Sequence, residues 1–179
     1  LNEMGYETGL YPSSPYYAVK VPVFSFEKLS DVDTQLGPEM KSTGEVLGIA
    51  GTMEEALYKG MIAAGYYMKR NGGILISVRD TDKKDLKELA KAYVSMGFTI
   101  YATEGTARKL NSAGISSTIV KKPKEADEGE ETTISVMEKG RISYVLSTSV
   151  TGRQPDRDSV RLRRKAVELG IPCLTSLDT

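Results

Sequence analysis

Apolar and polar positions settle into a regular alternation from Gly73 onward. Ile74-Leu-Ile-Ser-Val78 is a short apolar run and predicts a buried strand. Residues 82–96 then place Leu86, Leu89, Ala90, Tyr93 and Val94 on one helical face, and Gly97 ends the stretch. The same alternation continues with a strand over 98–102, a helix over 105–113 stopped by Gly114, and a strand over 117–120. A charged loop spans 124–131, followed by a short helix over 132–139, a strand over 142–147, a helix over 156–169 and a last strand over 171–175. Strands separated by helices of this length form βαβ units. The expected fold is therefore α/β, a Rossmann-like parallel sheet of about five strands with helices on both faces.

The chain before Gly73 reads differently. Up to about Gly51 it is irregular and rich in Gly, Pro and Tyr. Ala18-Val-Lys-Val-Pro-Val-Phe-Ser-Phe26 alternates in part, but Pro22 cannot donate to a ladder, which demotes the run to an edge strand or extended arm. Gly37-Pro-Glu-Met-Lys-Ser-Thr-Gly-Glu-Val46 is polar and glycine-flanked, and reads as an ordered loop. Thr52 is placed to cap a helix over 53–70, with Glu55 completing a capping box, and Asn71-Gly72-Gly73 stops it. The expected division is an irregular and helical segment over 1–71 and the α/β domain over 72–179. Leu1 opens without a natural start and Thr179 closes just after an apolar run, so the chain reads as a C-terminally truncated piece of a longer one.

Composition narrows the function classes. Lys plus Arg and Asp plus Glu both number 24, so net charge makes no case for a nucleic-acid or membrane partner. No apolar run approaches the roughly 18 residues of a membrane span, and no signal peptide is visible. The single cysteine, Cys173, rules out an internal disulfide, suits a cytoplasmic setting, and reads as a small buried strand residue. There is no histidine at all, which removes Ser-His and Cys-His pairs and most zinc sites.

A parallel sheet of this kind binds ligands outside the carboxyl ends of its strands. Phosphate-friendly groups stand at four such ends: Arg79-Asp-Thr-Asp-Lys83, Thr103-Glu-Gly-Thr106, Lys121 with Lys122, and Ser147-Thr-Ser149 with Thr151-Gly-Arg153. Thr-x-Gly-Thr at a helix start offers backbone N–H groups and two hydroxyls backed by the helix dipole, with Gly105 letting a ligand approach closely. Each element has a plainer reading. Thr103 or Thr106 alone is equally an N-cap, Lys83 and Lys122 alone are solvated surface lysines, and Ser147 to Ser149 is an ordinary strand end. The coincidence of all four is what points to an anion site. The acidic run Glu125 to Glu131 lacks the glycine and ligand order of a calcium loop and reads as solvated, so no metal site is expected. Arg161 to Lys165 reads as a solvated helix face.

Gly37–Val46 closely resembles the segment that closes the second ATP-grasp half of the carbamoyl phosphate synthase large chain. Ser77-Val-Arg-Asp80, Ala102-Thr-Glu-Gly-Thr-Ala107, Ser149-Val-Thr-Gly-Arg153 and Leu174-Thr-Ser-Leu-Asp-Thr179 resemble that chain's regulatory domain, of the methylglyoxal-synthase-like fold. The resemblance implies a ligase that makes carbamoyl phosphate from bicarbonate, glutamine-derived ammonia and ATP, with Mg2+ or Mn2+, for pyrimidine and arginine synthesis. It implies a small glutaminase subunit, an oligomer, and a nucleotide effector such as UMP, IMP or phosphoribosyl pyrophosphate. By position, the effector's phosphate would meet Lys83, Thr103, Gly105, Thr106, Lys122, Ser147, Thr148, Ser149 and Thr151. Leu36 and Thr175 match an ornithine site whose glutamate is matched by Val21 here. Some members carry Asn where Ser147 stands. On this reading the fragment has no catalytic residue, metal or cofactor of its own.

Two other functions fit the fold class. A free-standing methylglyoxal synthase would eliminate phosphate from a triose phosphate. It needs a carboxylate base by the phosphate, and that family adds a histidine and a Gly-Gly-Asp motif, neither of which this chain contains. A purely structural module for subunit contact is the other.

Overall fold

The computed structural model describes residues 4–5, 9–10, 12–25, 38–148 and 157–177. The chain divides into two compact units, one of residues 1–24 with 42–66 and one of residues 25–41 with 67–179.

In the smaller unit, β1 (Tyr17–Val23) pairs antiparallel with β2 (Gly44–Ala50), in a register running from Tyr17 opposite Ala50 to Val23 opposite Gly44. The edge strand expected around Pro22 is therefore present, but the ordered loop expected up to Val46 gives way at Gly44 to β2. Glycines at 44 and 48 masked the alternation of Val46, Gly48 and Ala50, which face inward, with Glu45, Leu47 and Ile49, which face out. Gly48 is needed for closeness: a Cβ there would overlap the carbonyl oxygen of Ala56, and one at Gly60 would lie 2.6 Å from Val21 Cγ2. Ala56 and Gly60 belong to α1 (Met53–Ala63), which lies directly on the two strands. Thr52 caps α1 as expected, accepting from Glu55 N at 3.2 Å. The Glu55 carboxylate pairs with Lys59 at 3.0 Å. The helix ends seven residues before the expected Arg70, because Gly65 turns out at φ +91 and Tyr66 N–H bonds back to Met61 O.

The larger unit holds the five-stranded parallel sheet that the pattern predicted, and its strand order is β5-β4-β3-β6-β7. Its elements are β3 (Gly72–Ser77), α2 (Leu86–Ser95), β4 (Phe98–Thr103), α3 (Glu104–Ser112), β5 (Thr118–Val120), α4 (Thr133–Glu138), β6 (Ile142–Ser147), α5 (Arg157–Glu168) and β7 (Cys173–Leu174). The central strand β3 is buried on both faces. Ile74 and Ile76 pack in one core with Leu86 and Ala90 of α2 and with Ala107 and Leu110 of α3. Leu75 packs in a second core with Val136 and Met137 of α4 and with Leu162 and Ala166 of α5. Helices thus cover both faces. The chain runs outward through β3, β4 and β5, then returns to β6 on the other side of β3. That reversal opens a crevice at the carboxyl ends of the strands.

Three details differ from expectation. The helix expected from Asp82 starts only at Leu86, after a 3-10 turn over Asp80–Asp82 that two local ion pairs hold, Lys83 to Asp80 and Arg79 to Asp82. Val94, expected on the inner face of α2, is 47% exposed. Arg163, in the run expected to be solvated, is 4% exposed, and neither terminal nitrogen has a hydrogen-bond partner among the described residues. Among the described residues no helix is long and apolar enough to cross a membrane.

Candidate functional site

Helix α3 starts where β4 stops, and its first turn is left open. Thr103 is the N-cap residue, in extended conformation at φ −62 and ψ 150, yet its hydroxyl caps no amide of the helix. It lies 3.4 Å from the Thr106 hydroxyl instead, and both threonines are buried. A helix start with no side-chain cap keeps unpaired N–H groups and the positive end of the dipole available to a ligand. Above it stands a cation: a Cβ added at Gly105 would come within 2.9 Å of Lys83 Nζ. Glycine at 105 is therefore what lets the ammonium lie over the helix terminus.

These groups line a pocket of about 380 Å³. The 3-10 turn after β3 supplies Arg79, Asp80 and Lys83, β5 is followed by Lys122, β6 by Thr148, and α5 contributes Ser159. Thr148 ties two strand ends together, since its Oγ1 accepts from Arg79 N at 3.0 Å. Arg79 Nε donates to both oxygens of Asp82 at 2.8 Å. Burial pushes the Asp82 carboxyl up, but hydrogen bonds from Arg79, Thr148 and Thr81 outweigh it and leave the group below the usual aspartate value. Lys83 donates to Asp80 at 2.6 Å, and this bond together with the lysine's charge holds Asp80 below that value too. Glu104 is lowered by hydrogen bonding to Arg108, by that guanidinium's charge, and by Lys121. Lys122 Nζ lies 3.6 Å from Glu125. The lining thus sets three cations, Arg79, Lys83 and Lys122, against three carboxylates, Asp80, Glu104 and Glu125.

Of the residues expected at an effector site, Lys83, Thr103, Gly105, Thr106, Lys122 and Thr148 come together in this pocket. Ser147 does not line it. Its side chain is wholly buried, with an Oγ that has no hydrogen-bond partner among the described residues. Thr175 is exposed beyond β7 and also outside the lining. Ser149, Thr151 and Leu36 lie outside the described residues. Sequence reasoning missed Ser77, Glu104, Glu125 and Ser159. Ser77 is the last residue of β3, a position that the strand-end rule points to. Glu125 lay in a loop read as solvated, and Ser159 is one polar residue on a helix with no motif around it. A smaller recess of about 20 Å³ shares Thr103 and Lys122 with this pocket and is lined also by Thr133, Asp158 and Leu162. Among the described residues no group of three or more acidic or cysteine side chains is arranged to hold a metal.

The doubly wound sheet thus brings an uncapped helix start, two hydroxyls and two lysines together at its strand ends. Residues 85–175, just over half of the chain, match the model of the MGS-like domain, and the chain belongs to that family. Among solved structures it is similar to the methylglyoxal synthase of Elizabethkingia anophelis NUHP1, with 16% sequence identity and a TM-score of 0.45, over 61% of this chain and 74% of that one.

Proposed function

We propose that this domain binds the phosphate of a nucleotide effector and forms the regulatory end of a carbamoyl phosphate synthase large chain. The observation that carries the phosphate reading is the α3 terminus, where Thr103 withholds its cap and Lys83 lies over Gly105. Helix-terminus amides and an ammonium on one phosphate give charge-assisted hydrogen bonds about twice as strong as neutral ones. The synthase reading is supported by the Gly37–Val46 resemblance. It assigns residues 1–71 to the end of the ATP-grasp half and 72–179 to the allosteric domain, in a cytoplasmic oligomer with a glutaminase subunit. UMP, IMP and phosphoribosyl pyrophosphate are the effectors it implies, with ATP and Mg2+ or Mn2+ used elsewhere in the parent enzyme. Regulation then follows by linkage: an effector shifts the enzyme only by its difference in affinity for two conformations, about 1–3 kcal/mol.

The alternative, a methylglyoxal synthase, shares the family. Its chemistry needs a carboxylate base whose pKa lies near the working pH. Asp80 and Glu104, both in the pocket, are shifted the other way by their paired cations, which makes them weaker bases. The chain also has no histidine.

Equilibrium titration with UMP and IMP tests the proposal. Binding at micromolar concentrations is expected, weakened about tenfold by Thr103→Ala or Thr106→Ala through loss of a hydrogen bond to a charged group. Absence of binding below millimolar concentrations, in this chain and in one extended at its C-terminus, would sink it. Methylglyoxal formed from dihydroxyacetone phosphate would favour the lyase.

A further inference from the structure

The lysine over the helix start already holds an anion. Lys83 Nζ donates to Asp80 Oδ1 at 2.6 Å, and both side chains line the pocket. Lys83 is 19% exposed and fixed over Gly105, whereas the Asp80 side chain is 93% exposed and Lys83 is its one side-chain partner among the described residues. The neighbouring acids are held differently. Asp82 is 14% exposed and gripped by Arg79 through both oxygens, and Glu104 is shared between Arg108 and Lys121. Glu125, paired with Lys122, is 54% exposed, so among the described residues Asp80 is the pocket carboxylate that combines a single side-chain partner with near-complete exposure.

We infer that Asp80 is an internal counter-anion that an incoming phosphate displaces from Lys83, so that this carboxylate sets the affinity of the site. The inference rests on the phosphate-binding reading and adds a regulatory element to it. With the pocket empty, Asp80 neutralises the ammonium, and the exposed side chain leaves at the cost of one partly solvated ion pair. With phosphate on the α3 amides, the same ammonium faces two anions that repel one another, and Asp80 turns outward into water. The site therefore works by exchange of one anion for another, and its affinity is lower than its cations alone would give.

The test is isothermal titration of the whole chain at low salt with inorganic phosphate and with UMP, for the unmodified protein, Asp80→Asn and Glu88→Gln. Glu88, on α2 and absent from the pocket lining, removes one negative charge elsewhere. Asp80→Asn is expected to tighten binding about three- to tenfold, while Glu88→Gln leaves it within about twofold. Asp80→Glu is expected to restore weaker binding. Binding seen only in Asp80→Asn supports the inference equally. Unchanged or weaker binding in Asp80→Asn, or an equal gain from Glu88→Gln, overturns it while leaving the phosphate site standing. No binding by any form removes both. Equal melting temperatures for the four proteins are expected, because an exposed pair contributes little to folding.

Discussion

Helices α3 and α4 both begin on a threonine, and the two threonines do opposite things. Thr132 accepts from Ser135 N at 3.0 Å while Ser135 Oγ accepts from Thr132 N at 2.9 Å, a reciprocal capping box that satisfies the helix from within. Thr103 turns its hydroxyl to Thr106 and caps nothing. Helix α4 is closed by its own side chains, and α3 is left for something else to close. Where a local rule is set aside beside a cation and a pocket, function is the reason to look for.

Several substitutions can break or sharpen that contrast. The largest effect is expected from Lys83→Ala, which removes the ammonium over α3 and should weaken phosphate or UMP binding roughly 10- to 100-fold in a titration, with the melting temperature nearly unchanged. Gly105→Ala comes next. The added Cβ meets only the flexible end of Lys83, 2.9 Å away, so the fold tolerates it while the lysine is pushed aside. Affinity should fall about tenfold with stability changed by less than about 0.5 kcal/mol.

Stability should follow the opposite order. Thr132→Ala is expected to cost about 1 kcal/mol in denaturant unfolding through loss of the cap, and Thr103→Ala less than about 0.5 kcal/mol. The lone cysteine offers an independent readout. Burial pushes the Cys173 thiol up to about 11, with Arg163 pulling weakly the other way. Native protein near pH 8 should therefore react with a thiol reagent roughly 100-fold more slowly than unfolded protein. If that reaction proceeds through unfolding, Thr132→Ala should speed it about fivefold and Thr103→Ala should not. Because the folded thiol titrates above the unfolded one, its contribution is present below about pH 9 and is lost as pH rises toward 11. A thermal melt series across that range should show a modest fall.

Much of this was legible in the residues. Period and glycine punctuation located all five strands of the larger sheet, because β3 and β6 are mostly apolar and α2 and α5 present Leu and Ala at i, i+4 spacing, Leu86 with Ala90 and Leu162 with Ala166. The strand-end rule then pointed to Lys83, Thr103, Thr106, Lys122 and Thr148, which line one pocket. What was not legible depends on approach in space. Strand β2 hid because Gly48 is there for the backbone of α1, and closeness to a neighbour leaves no periodic signal. Ser147 was misassigned because strand alternation turns it inward one residue before Thr148 reaches the pocket. Arg163 reads as one of several surface cations until its helix is docked. That Thr103 declines to cap could not be read at all, since the same residue type caps α1 and α4.

The lysines after β5 also bear on keeping copies of this protein apart. A sheet edge is a template on which another chain's strand can add, and here both edges are brief, three residues in β5 and two in β7. Strand β5 carries the exposed Ile119, the kind of residue around which such growth starts. It is followed at once by Lys121 and Lys122, and Lys121 is already bridged to Thr132, with its N–H given to Glu131 and its carbonyl to Thr133. The end of β5 is therefore both charged and occupied, so Lys122, which lines the pocket, also helps to guard the sheet against edge-to-edge aggregation.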